Sequence, residues 1–452
     1  MNLSRIWVLL VLSCSSLVAD PNLPGGATTS FERLREAFTQ PASNLNPRSF
    51  AQFFSGDTIF NTNWVNAASV VNGRDGLGPL FNTRSCSACH FKDGRGRPPE
   101  KGEISNGLLI RISLPKNDRN AAPRAHPVYG NQLSVRALPG LLPEATIEIS
   151  YKEIVGKYPD ENEFRIQQPE YTIDDWGYGT PDASLLMSPR VAPSVFGLGL
   201  LDAIPDEIIL AQADPNDQNG DGISGRPNWV KSPSRGDRQL GKYGWKANKA
   251  TIEDQTAGAF QGDLGITSAL FPEENHSLTQ VDALAFPSGG SPELNARDLE
   301  DIVFYLKTLA PPASRFKDDN AYENGHRLFV QSQCSSCHTP EFTTGIQTEI
   351  PALANQRIYP YTDLLLHDMG EQLADNRPDF EANGNEWRTP PLWGLGMIQK
   401  VNGHSRLLHD GRARNVEEAI LWHGGEAESS KRVFMYLSAA QRKILIDFVE
   451  AL

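Results

Sequence analysis

The chain is poor in residues that bind metals and in long apolar runs. Its 452 residues include five cysteines, nine histidines and five methionines, so a regular spacing among them carries information. Basic residues are also scarce, because 42 Lys and Arg face 55 Asp and Glu and leave a net charge of −13. This acidity argues against nucleic acid or an anionic membrane as a partner. Beyond the N-terminus no apolar run approaches the length of a membrane span, so we expect no transmembrane segment.

Four of the five cysteines lie in two copies of the pattern Cys-x-x-Cys-His, which are Cys86-Ser-Ala-Cys89-His90 and Cys334-Ser-Ser-Cys337-His338. This pattern is the attachment signature of haem c: each cysteine adds across a vinyl group, and the histidine becomes the proximal iron ligand. A zinc ribbon would need its two pairs close together, whereas these lie about 245 residues apart. A redox dithiol does not need the histidine. The sequence therefore predicts two covalently bound haems.

The first nineteen residues have the features of a secretory signal. Arg5 supplies the positive charge, residues 6–12 form an apolar stretch too short to span a membrane, and small residues follow. Bacterial haem c is attached outside the cytoplasm, so we expect a periplasmic protein. Cys14, in Val-Leu-Ser-Cys, resembles a lipoprotein processing site and would carry a lipid anchor. The alternative is cleavage after Ala19, which discards Cys14, and both remain open.

The contexts of the two motifs are similar. A Gly and a Leu-Phe pair precede each first cysteine, with Leu80-Phe81 before one and Leu328-Phe329 before the other. An apolar-periodic helix is predicted to close each unit, at residues 299–310 and 439–452. Pro311-Pro312 ends the first of these helices and marks a linker.

We therefore predict a mainly α fold with two cytochrome-c-like haem domains, residues 20–312 and 313–452. Residues 91–185 are expected to be an insertion in the first domain. Alternating apolar residues predict short strands there, at residues 108–113 and 146–151.

An oxygen-rich turn lies between the two haem motifs. From Asp217 the sequence follows D-x-N-x-D-G-x-S, which is typical of a loop that wraps Ca²⁺. The expected ligands are Asp217, Asn219, Asp221 and Ser224. Asn228 occupies the position of the bidentate Glu in an EF-hand, so a complete EF-hand is excluded. We predict a calcium site, and the alternative is an Asn/Asp/Gly loop without an ion.

The C-terminal region resembles the bacterial di-haem cytochrome c peroxidase superfamily, in particular its di-haem oxidoreductase branch. Three segments carry the resemblance, namely Arg388-Thr-Pro-Pro-Leu392, Leu408-His409-Asp-Gly411 and Val416-Glu-Glu-Ala-Ile420. In that family the sixth ligand of the C-terminal haem, usually Met, lies fourteen residues after the His of the second segment. His423 holds this position here. The resemblance therefore implies two histidine ligands, which would lower the reduction potential relative to His/Met ligation.

Other roles remain open near this haem. His423 is alternatively a solvent-facing histidine at a helix end. For His409 we expect a structural, hydrogen-bonding role. His367 resembles a family residue near the haem, and binding a propionate is as good an interpretation as ligating iron. Met369 is a competing axial ligand.

The resemblance extends to the N-terminal half. Arg190-Val-Ala-Pro193 is similar to the family's R-x-x-P, and Trp245 lies ten residues before Gln255, as in a family segment. There the Trp lies between the haems and the Gln in the peroxide pocket. The acid expected ten residues after the Gln is replaced by Gly265, so its role passes to Asp263. The alternative for Trp245 is core packing.

No histidine follows His90 at the spacing where related peroxidases keep a displaceable ligand. We expect this haem to be open, or to use His126 or Met187. The resemblance implies a periplasmic enzyme that reduces H2O2, with electrons entering at the C-terminal haem from a small cytochrome c or cupredoxin. The alternatives are an electron-transfer cytochrome with two six-coordinate haems, and an oxidase of a protein side chain or a metal ion.

Overall fold

The structure is a computed structural model that describes residues 20–70, 73–116, 118, 120–346 and 348–452. The predicted signal segment and Cys14 lie outside these residues. Within the described ranges, none of the helices combines the length and the apolar character needed to cross a membrane.

The helices alternate with short strands along the chain. The α-helices are α1 (Phe50–Asn61), α2 (Cys86–Cys89), α3 (Leu198–Asp202), α4 (Asp206–Leu210), α5 (Ile252–Ala259), α6 (Ala296–Thr308), α7 (Asp319–Gln331), α8 (Ile398–Asn402), α9 (Val416–Leu421), α10 (Glu428–Tyr436) and α11 (Ala439–Ala451). The strands are β1 (Leu80–Phe81), β2 (Leu108–Ser113), β3 (Arg136–Ala137), β4 (Thr146–Lys157), β5 (Glu163–Asp174), β6 (Leu186–Val191), β7 (Trp229–Lys231), β8 (Arg238–Leu240), β9 (Phe342–Thr343), β10 (Arg357–Ile358), β11 (Leu366–Asp368) and β12 (Glu386–Arg388).

Two helix pairs form the framework around the haem motifs. Helix α1 packs on α6, and α7 packs on α11. A glycine makes each close crossing possible: a Cβ at Gly56 would overlap the α6 backbone at Asp301, and one at Gly325 would overlap the ring of Phe448. The predicted closing helices are confirmed as α6 and α11, and a side chain caps the N-terminus of each, Asn295 and Ser438 respectively.

The two Leu-Phe pairs occupy different structures. Leu328 and Phe329 lie in α7, whereas Leu80 and Phe81 form strand β1, which pairs with β3. Pro79 directly precedes β1, and proline disfavours the helical conformation of the residue before it. The helix before the first motif is instead α1, further upstream.

The prediction of a mainly α fold is wrong. Helix accounts for 29% and strand for 17% of the chain, and the described strands form six two-stranded antiparallel sheets. The strand predicted at residues 108–113 is confirmed as β2, which pairs with β6. The strand predicted at 146–151 runs on to Lys157 and forms a long ribbon with β5. By pairing, these strands satisfy the backbone hydrogen-bonding groups of the segments that contain them.

Two hydrophobic clusters account for most of the core. The larger takes residues from both sides of residue 312, for example Ile302 and Leu328. The smaller lies beneath β2 and includes Trp245 and Trp387. The predicted division into two domains stays a prediction.

Candidate active site

Both Cys-x-x-Cys-His motifs line one cavity of about 400 Å³. Its wall is assembled from segments far apart in the sequence, including β2, β6, α5 and the residues around α9. All four described cysteines are free thiols. The cavity therefore brings two sets of haem-attachment groups, separated in sequence, into one continuous space.

The first motif is held by α2 and by a contact to a distant loop. The His90 amide donates to the Cys86 carbonyl (2.9 Å), and its ring Nδ1 donates to the Pro193 carbonyl (2.7 Å). This bond leaves Nε2 free as a ligand atom. It also gives the R-x-x-P segment a structural role, because Pro193 supplies the carbonyl that orients the His90 ring. Burial lowers the pKa of His90 to about 4, so the ring is neutral, as an iron ligand requires.

The second motif repeats this arrangement. His338 Nδ1 donates to the Tyr361 carbonyl (2.9 Å), and burial lowers the pKa of His338 to about 4. Each proximal histidine is thus oriented by one backbone carbonyl. The repeated geometry is a property of the fold that the motif alone does not specify.

His423 lies on the same cavity as His338, just after α9. Its Nδ1 donates to the Ala419 carbonyl (2.7 Å), so its Nε2 is also free, and burial lowers its pKa. A proton on His423 would further lower the pKa of His338, so the two histidines interact electrostatically. The wall position of His423 disfavours the alternative of a solvent-facing histidine.

The charges on the wall suit a carboxylate-bearing cofactor. In a chain with more acids than bases, the cavity is lined by one carboxylate, Asp263, and six cationic side chains: Arg95, Arg111, Arg190, Lys242, Arg388 and Lys431. Haem brings its propionates, which need such partners when buried. The thiols, the neutral histidines and the cations all fit haem.

Trp245, Gln255 and Asp263 all line the cavity. Trp245 donates from Nε1 to the Val191 carbonyl (2.8 Å), and the Arg95 guanidinium lies 5.0 Å from its ring centroid. Trp245 therefore packs in the core and also faces the cavity, so the two interpretations of this residue are compatible.

Asp263 is half-buried beside the first motif. Its carboxylate accepts from Gln132 Nε2 (2.7 Å), and its backbone carbonyl accepts from the amides of Asn82 and Thr83. Burial raises the pKa of Asp263, while the charge of Arg111 opposes this shift. The protonated acid is thus favoured to a higher pH than for an exposed carboxyl group.

His126 and Met187 do not line the cavity, although both belong to the described residues. His126 Nδ1 accepts from the amides of Val128 and Tyr129, and Met187 is 39% exposed on β6. Neither side chain therefore faces the cavity that His90 lines.

The remaining candidates near the second motif differ in their contacts. Met369 lines the cavity and remains a candidate axial ligand. His367 donates from both ring nitrogens to carboxylates, Asp363 (2.8 Å) and Glu426 (2.7 Å), and these acids raise its pKa. A cationic histidine that already donates from both ring nitrogens is better suited to a contact with a haem propionate than to ligation of iron. His409 makes no ring hydrogen bond to the described residues and instead stacks on Trp387, contrary to the hydrogen-bonding role expected for it.

The oxygen-rich loop is exposed and closed by its own hydrogen bonds. Asp217 accepts from the Gly222 amide (3.1 Å) and Asp221 from the Ile223 amide (2.9 Å). Ser224 points away from the loop and donates to Glu426 (2.6 Å). Among the described residues no group of three or more His, Cys, Asp and Glu side chains is arranged to hold a metal. Calcium stays a prediction, and its ligands from side chains would be Asp217, Asn219 and Asp221.

A network of buried charged side chains lies next to the cavity. Lys246, which is fully buried, pairs with Asp375 (2.8 Å), and Arg190 pairs with Asp379 (3.1 Å). Burial lowers the pKa of Lys246 to about 8. The sequence did not predict this network, because paired buried charges are recognisable only in three dimensions.

Two haem-attachment motifs on one cavity, each with a neutral, oriented histidine, define a di-haem protein. The family described as "Di-haem oxidoreductase, putative peroxidase" matches residues 19–135 and 179–452, and the chain belongs to this family. The match excludes residues 136–178, which contain the β4–β5 ribbon.

No curated protein matches the chain significantly. Among solved structures, "Kuenenia stuttgartiensis Hydrazine Synthase Pressurized with 20 bar Xenon" is similar, with 12% identity, 100% coverage of both chains and a TM-score of 0.34. This likeness is too weak to support an argument about the fold or the function.

Proposed function

We propose that this chain is a periplasmic peroxidase that reduces H2O2 with electrons from a small redox protein. Two haems are attached covalently, one through Cys86 and Cys89 and the other through Cys334 and Cys337. When bound, haem iron supplies one-electron redox chemistry and, where a coordination position is open, a binding site for a peroxide oxygen.

The His338 end of the cavity is assigned to electron entry. His338 and His423 are neutral, line the same cavity and are each oriented by a backbone carbonyl, which supports ligation by both. Fixed ligands on both sides change little on reduction, so this end suits electron transfer. Trp245, on the cavity wall, would assist the passage of electrons towards the His90 end.

The His90 end is assigned to peroxide chemistry. Asp263 raises the pKa of the Cys86 thiol, which places it near the first motif, and Gln255 lines the same cavity; neither is a customary iron ligand. Gln255 would orient the peroxide by a hydrogen bond. Asp263, whose pKa is raised by burial, would give its proton to the departing oxygen and so act as a general acid.

The observation that carries this proposal is the asymmetry of the two ends. His423 interacts electrostatically with His338 at one end, whereas the carboxyl group of Asp263 acts on the Cys86 thiol of the other motif. An electron-transfer cytochrome would be expected to close both irons.

The test is turnover by the mature holoprotein. Mass spectrometry should show two haem additions, and H2O2 should drive oxidation of a reduced cytochrome c or cupredoxin. If the doubly haem-loaded protein accepts electrons but H2O2 does not reoxidise it, the electron-transfer function replaces the proposal. If H2O2 oxidises a protein side chain or a metal ion instead of the redox protein, the chain is an oxidase.

The remaining assignments form part of the same proposal. Ca²⁺ would bind the loop that contains Asp217 and Asp221, and would relieve the repulsion between these carboxylates. A lipid anchor at Cys14 or a free N-terminus after Ala19 is decided by the mass of the mature protein.

A further inference from the structure

Arg111 differs from the other cations that line the cavity. The remaining five are held by hydrogen bonds or ion pairs to protein groups; for example, Arg388 donates to the Gly244 carbonyl (2.9 Å) and Lys242 pairs with Asp206 (2.7 Å). The Arg111 guanidinium makes no hydrogen bond or ion pair with the part of the chain that the structure describes. A guanidinium that faces a cavity without a protein partner is placed to serve a ligand there.

The strand that carries Arg111 holds it in position. Along β2, Ile110 and Ile112 are fully buried in the smaller core cluster, so Leu109 and Arg111 point to the opposite face and line the cavity. In the register with β6, Arg111 lies opposite Ser188. The Ser188 hydroxyl accepts a hydrogen bond from Arg190 Nε, and the Arg190 guanidinium also donates to Asp379. Neither Ser188 nor Arg190 is therefore a partner of Arg111.

Arg111 and Asp263 both line the cavity, the first with a cationic hydrogen-bond donor and the second with a carboxyl group. Their charges interact, yet within the described ranges no hydrogen bond or ion pair joins them. Gln132 connects the two residues, because it forms a backbone bridge with Arg111 and donates from its side chain to Asp263. A small molecule between them would meet a cationic donor on one side and a carboxyl group on the other.

We infer that Arg111 is a further catalytic residue of the peroxide site, where its guanidinium binds the oxygen that becomes negative as the O–O bond breaks. This inference rests on the proposed function. The bond electrons leave with the outer oxygen as hydroxide, and Asp263 protonates this hydroxide to water. The balance is one H2O2, two protons and two electrons to two waters, with the electrons from a one-electron redox protein and the second proton from solvent. A fixed cation at this oxygen lowers the barrier because negative charge develops there.

The test compares four holoproteins: wild type, R111Q, R111K and R124Q. Arg124 is an exposed residue that pairs with the end of β2, so R124Q removes the same charge outside the cavity. Fluoride is the probe, since it is a small anion that binds open ferric haem. Optical titration of the oxidised proteins gives the fluoride affinity, and haem content and melting temperature report on folding.

R111Q should weaken fluoride binding about tenfold or more, which is the size expected for one lost charge-assisted hydrogen bond. It should lower kcat/KM for H2O2 by about a hundredfold, as loss of one oxyanion donor does. R111K, which keeps the charge, should lie between R111Q and wild type, and R124Q should match wild type.

Unchanged fluoride affinity in R111Q, in a wild type that turns over H2O2, would overturn the inference and leave the proposed function standing. A lower reduction potential of one haem with unchanged fluoride affinity would also overturn it, because Arg111 would then bind a propionate. A wild type that neither binds fluoride nor reduces H2O2 would refute both.

Discussion

The rings of Trp387 and His409 stack with their centroids 3.7 Å apart and their planes inclined by 10°. The Lys246 ammonium lies 4.4 Å from the Trp387 ring centroid. Burial lowers the pKa of His409 to about 3, so this histidine is neutral within a cationic surrounding. The stack occupies His409 with an aromatic partner, so the proposal assigns the sixth ligand to His423 and not to His409.

Replacing His423 by Ala should open the C-terminal haem. The oxidised protein should convert one low-spin signal to high-spin, while the spectrum of the other haem changes little, because His90 has separate contacts. Electron paramagnetic resonance measures this directly. The matched control is His126→Ala, since His126 lies off the cavity wall. If H126A opens a haem and H423A does not, the ligand assignment is wrong.

Replacing Asp263 by Asn should reduce turnover of H2O2 by about a hundredfold or more, the usual contribution of a general acid. Haem content should be unchanged. Asp282→Asn, at an exposed position, is the control. Turnover in D263N at the wild-type rate would remove Asp263 from the mechanism.

The D263N variant also tests how the turnover of H2O2 depends on pH. Burial raises the pKa of Asp263, so the protonated acid persists above the ordinary carboxyl range and is lost as pH rises through the raised value. Wild-type turnover should therefore fall as the pH rises through the pKa of Asp263, which gives the pH profile an alkaline limb. The profile of D263N should lack this limb. A limb of equal size in both proteins would assign it to another group.

Removal of calcium should lower the melting temperature, because an ion that binds only the native state stabilises it. Asp221→Ala should weaken binding, whereas the exposed Asp237→Ala should not. Calorimetric titration with Ca²⁺ measures both. Wild-type affinity in D221A would place the ion elsewhere. Ser224→Ala should have little effect on affinity, since its hydroxyl donates to Glu426.

Replacing Gly325 by Ala should destabilise the C-terminal haem region by about 1–3 kcal/mol, the usual cost of overpacking. The added Cβ would overlap the ring of Phe448 where α7 crosses α11. Gly290→Ala is the control, because a Cβ there meets its nearest neighbour at an ordinary 3.4 Å. Equal melting temperatures for the two variants would show that the crossing tolerates a side chain.

The sequence predicted local features best. The haem motifs and the helices near residues 299–310 and 439–452 follow from fixed spacing and from apolar periodicity, which survive in any tertiary context. The fold class failed because β5 contains Pro169, a residue uncommon within strands. It is tolerated here because each strand of the β4–β5 ribbon has one unpaired edge.

The candidate site was only partly predictable. His423 and Asp263 could be proposed from spacing, but Arg111 could not, because alternation along β2 says only that it points away from Ile110. Which surface it faces depends on segments more than a hundred residues away. The carbonyl partners of the proximal histidines, Pro193 and Tyr361, likewise depend on tertiary contacts.

The most direct test of the account is the electron paramagnetic resonance spectrum of the fully oxidised protein, recorded with and without H2O2. The account predicts one low-spin haem, ligated by His338 and His423, and one haem with a high-spin signal that H2O2 changes. Two low-spin haems that neither H2O2 nor cyanide perturbs, in the oxidised and the half-reduced states, would contradict it.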